Sequence, residues 1–321
     1  MPIFLFVKKT MEIKKISLET TTSWTISHRP QSFAEFIWQA PIKSVLQTAI
    51  ESAKLREAPL GHILFSGSSG FGKTTLATII SQQMNTNIKV VTGYALTKPS
   101  ELVSLLNSLE SWDILFIDEI HRIKPTLEEV LYIAMEDFVI DMLMPEWWSI
   151  RLPINPFTLV WATTKPESLS QPMKNRFIYH FHFMDYDLEE KKTILDRYLQ
   201  HYQVNYEPDL LEKFVQKVAS VPREIHNLVI KIRDYLISRQ LPILTSKDRE
   251  EFLKHSQIDD WGMMPIHKKY LDILADFDRP VGVKTLAVQL GVSEKNLEED
   301  IEPLLLKLGK IEKTTKWRSL I

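Results

Sequence analysis

Between about residue 29 and residue 184 the chain alternates two kinds of apolar patterning. Runs at 63–65, 88–91, 114–117 and 158–161 are apolar at nearly every position, which predicts strands covered on both faces. Between them, at 42–55, 74–84, 100–109 and 127–135, apolar residues recur every three or four positions, the spacing of a helix with one buried face. Strands that alternate with helices predict a mostly parallel sheet with helices on both sides, an α/β fold.

From residue 188 to about 256 only the helical spacing remains. Ile194, Leu195, Tyr198 and Leu199 are followed by Leu210, Leu211, Phe214 and Val218, which predicts a small helical domain. Asp259-Asp260-Trp261-Gly262 marks a linker. Beyond it come helical stretches at 267–277, 283–290 and 297–308, then a short polar strand at 311–318. Three helices followed by a β element are the order of a winged helix. The first 27 residues carry lysines and a Thr/Ser cluster without clear periodicity. The expected organisation is therefore a tail (1–27), an α/β domain (28–184), a helical domain (185–256) and a winged-helix head (257–321).

Chemistry enters at the end of the first strand. Gly67-Ser68-Ser69-Gly70-Phe71-Gly72-Lys73-Thr74 satisfies G-x-x-x-x-G-K-[ST]. Glycines let backbone N–H groups turn inward around phosphates, and the helix that follows aims its positive end at them. Lys73 is placed to reach the β/γ oxygens and Thr74 to bind Mg²⁺. Glycine is scarce, nine residues in the chain, so three in this loop are a concentration with a cause. A phosphate loop that carries Mg²⁺ also needs a carboxylate. Ile114-Leu115-Phe116-Ile117-Asp118-Glu119 ends a buried strand in two acids. Asp118 is expected in the Mg²⁺ sphere and Glu119 behind the attacking water. The site reads as a nucleoside triphosphatase using ATP and Mg²⁺.

Composition narrows the setting. No run approaches the roughly 18 apolar residues of a membrane span. The absence of cysteine excludes disulfides and thiolate metal sites and fits a reducing cytoplasm. Net charge is −2, so nucleic-acid binding has to come from a local patch. One such patch is at the end: Lys307, Lys310, Lys313, Lys316 and Arg318 accompany a single acid, Glu312, in the last fifteen residues. On a winged helix these charges fall where DNA phosphates are met, in contacts indifferent to base sequence.

Together these stretches resemble the RuvB family of AAA+ ATPases, the motors of Holliday-junction branch migration. The resemblance spans about residues 28–318. It is carried by His28-Arg29-Pro30, Gln39, GxGKTTLA at 70–77, LFIDEIHR at 115–122, EEVLYxAMEDF at 128–138, SIRL at 149–152, PFTLxxATT at 156–164, Pro172 to Phe177, Pro222-Arg223 and PVGVKTLA at 280–287. It implies an AAA+ P-loop parallel-sheet domain with a helical lid and a winged-helix head. It further implies that His28 and Arg29 lie on the adenine side, as does Tyr186 at the hinge to the lid. Gly70, Lys73, Thr74 and Thr75 fall at the phosphates, and Asp137, Phe138 and Val139 at a segment near the nucleotide. Thr164 takes the place of sensor 1, Arg176 that of the arginine finger and Arg223 that of sensor 2, the lid arginine. Lys313, Lys316 and Arg318 match the family's basic wing.

The chain departs from the family at Ser68-Ser69, where Pro-Pro is usual, and at Trp38, Ile178 and Ser220-Val221. None of these removes a group that does chemistry. Trp147 and Trp148 stand at the expected tip of a hairpin, as internal packing or as a partner anchor. The implied activity is that of an ATP-driven DNA translocase in recombination and repair, working as a homo-hexamer with a RuvA-type junction-binding adaptor. The alternative is an AAA+ loader or remodelling switch acting on a protein, with the winged helix as its docking module.

Overall fold

The computed structural model describes residues 29–37, 40–119, 123–143, 149–215, 221–259, 261–277, 279–314 and 316–321. The tail, the hairpin tip with Trp147 and Trp148, and also His28, Trp38, Gln39 and Ser220 lie outside the described residues. The first part of the chain runs α1 (Ala40–Leu55), β1 (Ile63–Ser66), α2 (Lys73–Met84), β2 (Ile88–Thr92), α3 (Pro99–Asn107), β3 (Ile114–Asp118), α4 (Pro125–Asp137), β4 (Val139–Leu143), β5 (Ser149–Pro153), β6 (Thr158–Thr163), α5 (Gln171–Lys174) and β7 (Tyr179–His182). Five strands form a parallel sheet in the order β2-β3-β6-β1-β7.

The runs that are apolar at every position occupy its middle, and the pleat explains why. Ile63, Phe65, Ile114, Phe116, Val160 and Ala162 belong to the core on one face. Leu64, Leu115, Ile117, Leu159 and Trp161 belong to the core on the other. Successive residues of a strand point to opposite faces, so a sheet covered twice needs apolar residues at both parities. Strand β7 escaped the sequence reading because Tyr179-His180-Phe181-His182 has histidines at alternate positions, which face out on an edge strand. His62 fixes the start of β1: Leu159 N donates to its Nδ1 at 2.9 Å, and its Nε2 donates to Met135 O at 3.0 Å. Beside the sheet, β4 and β5 pair antiparallel, with Arg151 on Asp141 at 3.0 Å.

The helical part comprises α6 (Leu188–His201), α7 (Leu210–Val215), α8 (Pro222–Arg239) and α9 (Ser246–His255). Asp187 caps α6 by accepting from Glu190 N at 2.8 Å, and Glu190 reaches back to Asp187 N at 2.9 Å, a capping box. The apolar faces of α6 and α8 (Leu195, Leu199, Ile225, Val229, Ile232) join the core on the β1 side of the sheet. That contact brings the lid over the C-terminal edge of β1.

Asp259 folds the linker by accepting from Trp261 N and Met263 N, both at 2.9 Å. Then follow α10 (Pro265–Ala275), β8 (Val281–Gly282), α11 (Val283–Leu290), α12 (Glu294–Asn296), a π turn at Leu297–Ile301, α13 (Glu302–Lys307), β9 (Ile311–Lys313) and β10 (Trp317–Leu320). The sheet order β8-β10-β9 completes a winged helix. The single strand expected at 311–318 is a hairpin instead. Thr314 accepts from Trp317 N at 2.9 Å and turns the chain back on itself. Among the described residues no helix is long and apolar enough to cross a membrane.

Candidate functional site

The C-terminal ends of β1, β3 and β6 open into a cavity of about 510 Å³ roofed by α6 and α8. Its floor is the loop between β1 and α2. Gly67 and Gly72 hold φ of 133° and 92°, left-handed values that an L side chain rarely adopts. Space forbids one as well: a Cβ on Gly67 would sit 2.8 Å from Phe183 O, and one on Gly72 would sit 3.2 Å from the Phe36 ring. The loop is tied to the sheet by Gly67 N donating to Thr163 O at 3.2 Å.

Lys73 starts α2 and is buried; its Nζ donates to Gly67 O and Ser68 O, each at 2.7 Å. Burial pushes its pKa down to about 8; Asp118 and Glu119 work against that shift and Arg223 adds to it. Lys73 and Arg223 thus face one cavity as like charges, with Asp118 and Glu119 beside them. Thr74 and Thr75 line the same wall, with Gly70 in the loop.

Asp118 ends β3 and Glu119 follows it, both on the cavity. Glu119 N donates to Asp118 Oδ1 at 3.0 Å, and Glu119 has φ of 51°. A left-handed non-glycine residue costs about 1–3 kcal/mol and is kept where the surroundings impose it. Thr164, one residue past β6, faces these acids from the next strand.

Above the loop, Tyr186 is buried and donates its hydroxyl to Phe71 O at 3.0 Å, with the two rings stacked at 6.0 Å. Burial raises its pKa, so the hydroxyl keeps its proton. Arg223 comes down from the first turn of α8, and its Nη1 donates to Ser69 Oγ at 3.1 Å. Ser69 is one of the two departures from the family's Pro-Pro, and here it supplies the acceptor. Val221, another departure, lies against Gly70, where a Cβ would meet its Cγ2 at 3.1 Å.

Arg29 also lines the cavity. The structure thus gathers Arg29, Gly70, Lys73, Thr74, Thr75, Asp118, Glu119, Thr164, Tyr186 and Arg223 in one place. It adds residues the sequence reading missed: Arg197 and Tyr198 of α6, and His226, Asn227 and Ile230 of α8. The signal was present for the last three, because they follow Arg223 at helical spacing.

Arg176, the expected arginine finger, and Asp137, Phe138 and Val139, expected near the nucleotide, are not among the described residues that line this cavity. They lie together elsewhere. Arg176 donates to Pro172 O at 3.0 Å and Glu136 Oε2 at 2.9 Å, and its guanidinium lies 4.7 Å from the centre of the Tyr132 ring. Asp137 follows Glu136 at the end of α4, and Phe138 packs edge-on against Phe157. Asp137 ends α4, and Arg176 follows the short α5 by two residues.

On the head, Arg318 departs from the expected DNA contact. It is 1% exposed, with Nε on Glu302 Oε1 at 2.7 Å and Nη2 on Glu298 Oε1 at 2.6 Å. Glu302 is fully buried and also accepts from Tyr270 O–H at 3.1 Å. Lys313 joins the cluster, 2.7 Å from Glu302 and 3.3 Å from Glu298. The reason is the helix: Glu298 and Glu302, one turn apart, face the inner side of the wing. Lys316 stands exposed on the turn, beside Trp317 at 52% exposure. The exposed residues of helix 294–307 include Glu294, Glu298 and Asp300.

Residues 28–183 match the family described as Holliday junction DNA helicase RuvB P-loop domain, and residues 260–320 the RuvB C-terminal winged helix domain. A Holliday junction branch migration complex subunit RuvB from Staphylococcus haemolyticus is 39% identical over 92% of this chain and 91% of its own length. The counterpart from Campylobacter lari is 38% identical over 96% and 92%. The solved Thermotoga maritima RuvB Holliday junction branch migration motor superposes with a TM-score of 0.80 at 36% identity, covering 91% of this chain and 95% of that one. Identity at this level over nearly the whole length, with the phosphate loop and winged helix in matching places, makes this chain a member of the RuvB family.

Proposed function

We propose that this protein is an ATP-driven DNA translocase that drives Holliday junction branch migration, acting as a hexameric ring with a RuvA-type adaptor. The observation that carries the reading is the convergence of Lys73, Asp118, Glu119, Thr164 and the lid's Arg223 on one cavity in a chain that also bears a winged helix. The reading sets this work in the cytoplasm, which a chain without cysteine fits.

In this reading the loop N–H groups and Lys73 take the β- and γ-phosphates, and Arg29 and Tyr186 border the nucleoside. Thr74 and Asp118 are the oxygen donors for Mg²⁺, which supplies charge neutralisation when bound. The donor set fits: a hydroxyl and a carboxylate on facing elements suit a hard cation. Glu119 orients the attacking water, Thr164 senses the γ-phosphate, and Arg223 ties that event to the lid. Arg176 and the Asp137–Val139 segment, clustered away from their own cavity, serve the neighbouring subunit's nucleotide. Ring assembly thereby becomes a condition for hydrolysis. Lys316, Lys313 and Lys310 meet the DNA backbone, while Arg318 holds the wing in shape.

One observation favours a second reading. The ion cluster of Lys313 and Arg318 with Glu298 and Glu302 neutralises much of the wing, as a protein-docking head would tolerate. ATP turnover with and without four-way junction DNA, across salt concentrations, separates the two. The motor requires DNA stimulation that falls steeply with salt, and strand exchange on the junction that the Lys73→Ala variant lacks. Turnover indifferent to DNA but raised by a protein partner alone would replace the motor with the switch.

A further inference from the structure

Helix α8 lines the cavity with Arg223, His226, Asn227 and Ile230. These positions are three and four apart and so share one face. Arg223 marks the phosphate end, because its guanidinium is on Ser69 of the phosphate loop at 3.1 Å. At a rise of about 1.5 Å per residue, His226 and Asn227 lie about 5 Å further along the axis and Ile230 about 10 Å. This is the order and scale of phosphate, sugar and base. Pro30, Ile37 and Ile194 also line the cavity and offer apolar surface of the kind a purine face requires.

His226 is held in place from within the lid. Tyr202 O–H and His226 Nε2 are 2.8 Å apart, and the Tyr198 ring centre is 4.9 Å from that of the histidine. Whichever tautomer Tyr202 selects, the second ring nitrogen is of the opposite kind, donor or acceptor. A sugar hydroxyl both donates and accepts, so it satisfies either state. The Asn227 amide offers both kinds as well.

Resting on the reading of this cavity as a nucleotide site, we infer that His226 and Asn227 hold the ribose hydroxyls and that Ile230 lies against the base. The lid then measures the nucleoside along one helix face, and His226 is a specificity-determining residue for ribonucleotides.

Binding to the full chain separates this role from a structural one, using ATP, 2′-deoxy-ATP, 3′-deoxy-ATP and inorganic tripolyphosphate as competing ligands. The wild-type chain is expected to prefer ATP over at least one deoxy analogue by about tenfold, the worth of one net hydrogen bond. His226→Ala should erase that preference and leave tripolyphosphate binding as it was. Tyr202→Phe should narrow the preference, since the ring loses its orienting partner. His226→Asn, which keeps a polar group in the lid, should retain part of it. Unchanged ATP-to-deoxy ratios in His226→Ala would overturn the inference. So would a loss of tripolyphosphate binding as large as the loss of ATP binding, since the residue would then be supporting the lid as a whole. If neither ATP nor tripolyphosphate binds the wild-type chain, the nucleotide-site reading falls, and this inference with it.

Discussion

Lys73 and Arg318 are both buried cations near carboxylates, one at the nucleotide cavity and one under the wing, yet the fold treats them in opposite ways. Lys73 is held by two backbone carbonyls, and burial drops its pKa to about 8. That shift corresponds to about 3 kcal/mol at most. The sign is unfavourable to the fold: the penalty is complete below pH 8 and is relieved as pH rises toward the ordinary lysine value. Arg318 is instead matched by two carboxylates within 2.7 Å. The first cation is kept costly, so a ligand's negative charge can relieve it. The second is cancelled inside the molecule and serves shape. Basic residues of similar appearance in a sequence thus separate by what stands opposite them.

Arg176 is the strongest test of that contrast, because it is in between, on the single exposed acid Glu136. If it acts on a neighbouring subunit, Arg176→Ala should lower ATP turnover by roughly 10³ to 10⁵ with stability nearly unchanged. Mixing it with Lys73→Ala should restore part of the activity, measured across mixing ratios at low ATP. Silence at every ratio, with mixed rings confirmed by mass, would return Arg176 to a cis or purely surface role. Arg318→Met comes next. It leaves Glu302 buried without its principal partner, so the head should lose about 3–5 kcal/mol in a denaturant titration. Pairing it with Glu302→Leu should recover much of the loss. A DNA-binding defect without any loss of stability would mean that Arg318 is a phosphate contact after all.

Third is a pH profile. An anion that binds beside Lys73 favours its charged form, so the Lys73 contribution to ATP affinity should be flat below pH 8. Above it, affinity should fall by up to about tenfold per pH unit, until the pKa of the bound state is reached. The profile is read as Kd by titration at fixed ionic strength, and a flat one to pH 9.5 would remove Lys73 from the anion site. The smallest effect belongs to Lys316. Lys316→Ala should weaken duplex binding a few-fold and reduce the slope of log K against log salt by about 0.9, with no change in melting temperature. An unaltered slope would take Lys316 off the DNA.

Much of the α/β fold was legible because its strands are unambiguous: 63–65 and 114–117 have no polar position, and only a twice-covered sheet uses such runs. The phosphate loop and its acids were legible because backbone geometry demands glycine and chemistry demands lysine and carboxylates, all local in sequence. What stayed hidden is relational. His226 is an ordinary lid residue until α8 lies across the cavity. Arg318 is a surface charge until Glu302, sixteen positions earlier, comes to rest 2.7 Å from it. In the sequence the wing reads as one strand because Thr314 looks like a polar strand residue; its turn depends on a hydrogen bond from Trp317 N. Arg176 is assigned by resemblance, and the geometry beside it is its absence from the cavity lining and its pairing with Glu136.

The acids along helix 294–307 have a consequence for motion. Glu294 and Asp300 are exposed on the helix that, in many winged helices, enters the major groove, while Glu298 is paired with Lys313 and Arg318. On the proposed DNA track these acids would hold the helix off the bases and leave the wing's exposed Lys316 to ride the phosphates. Each step of the proposed motor would then meet nearly the same surroundings, because phosphates repeat whatever the bases are. A head that reads no letters would have no favourite place to stop, so little of such a motor's work would go into friction.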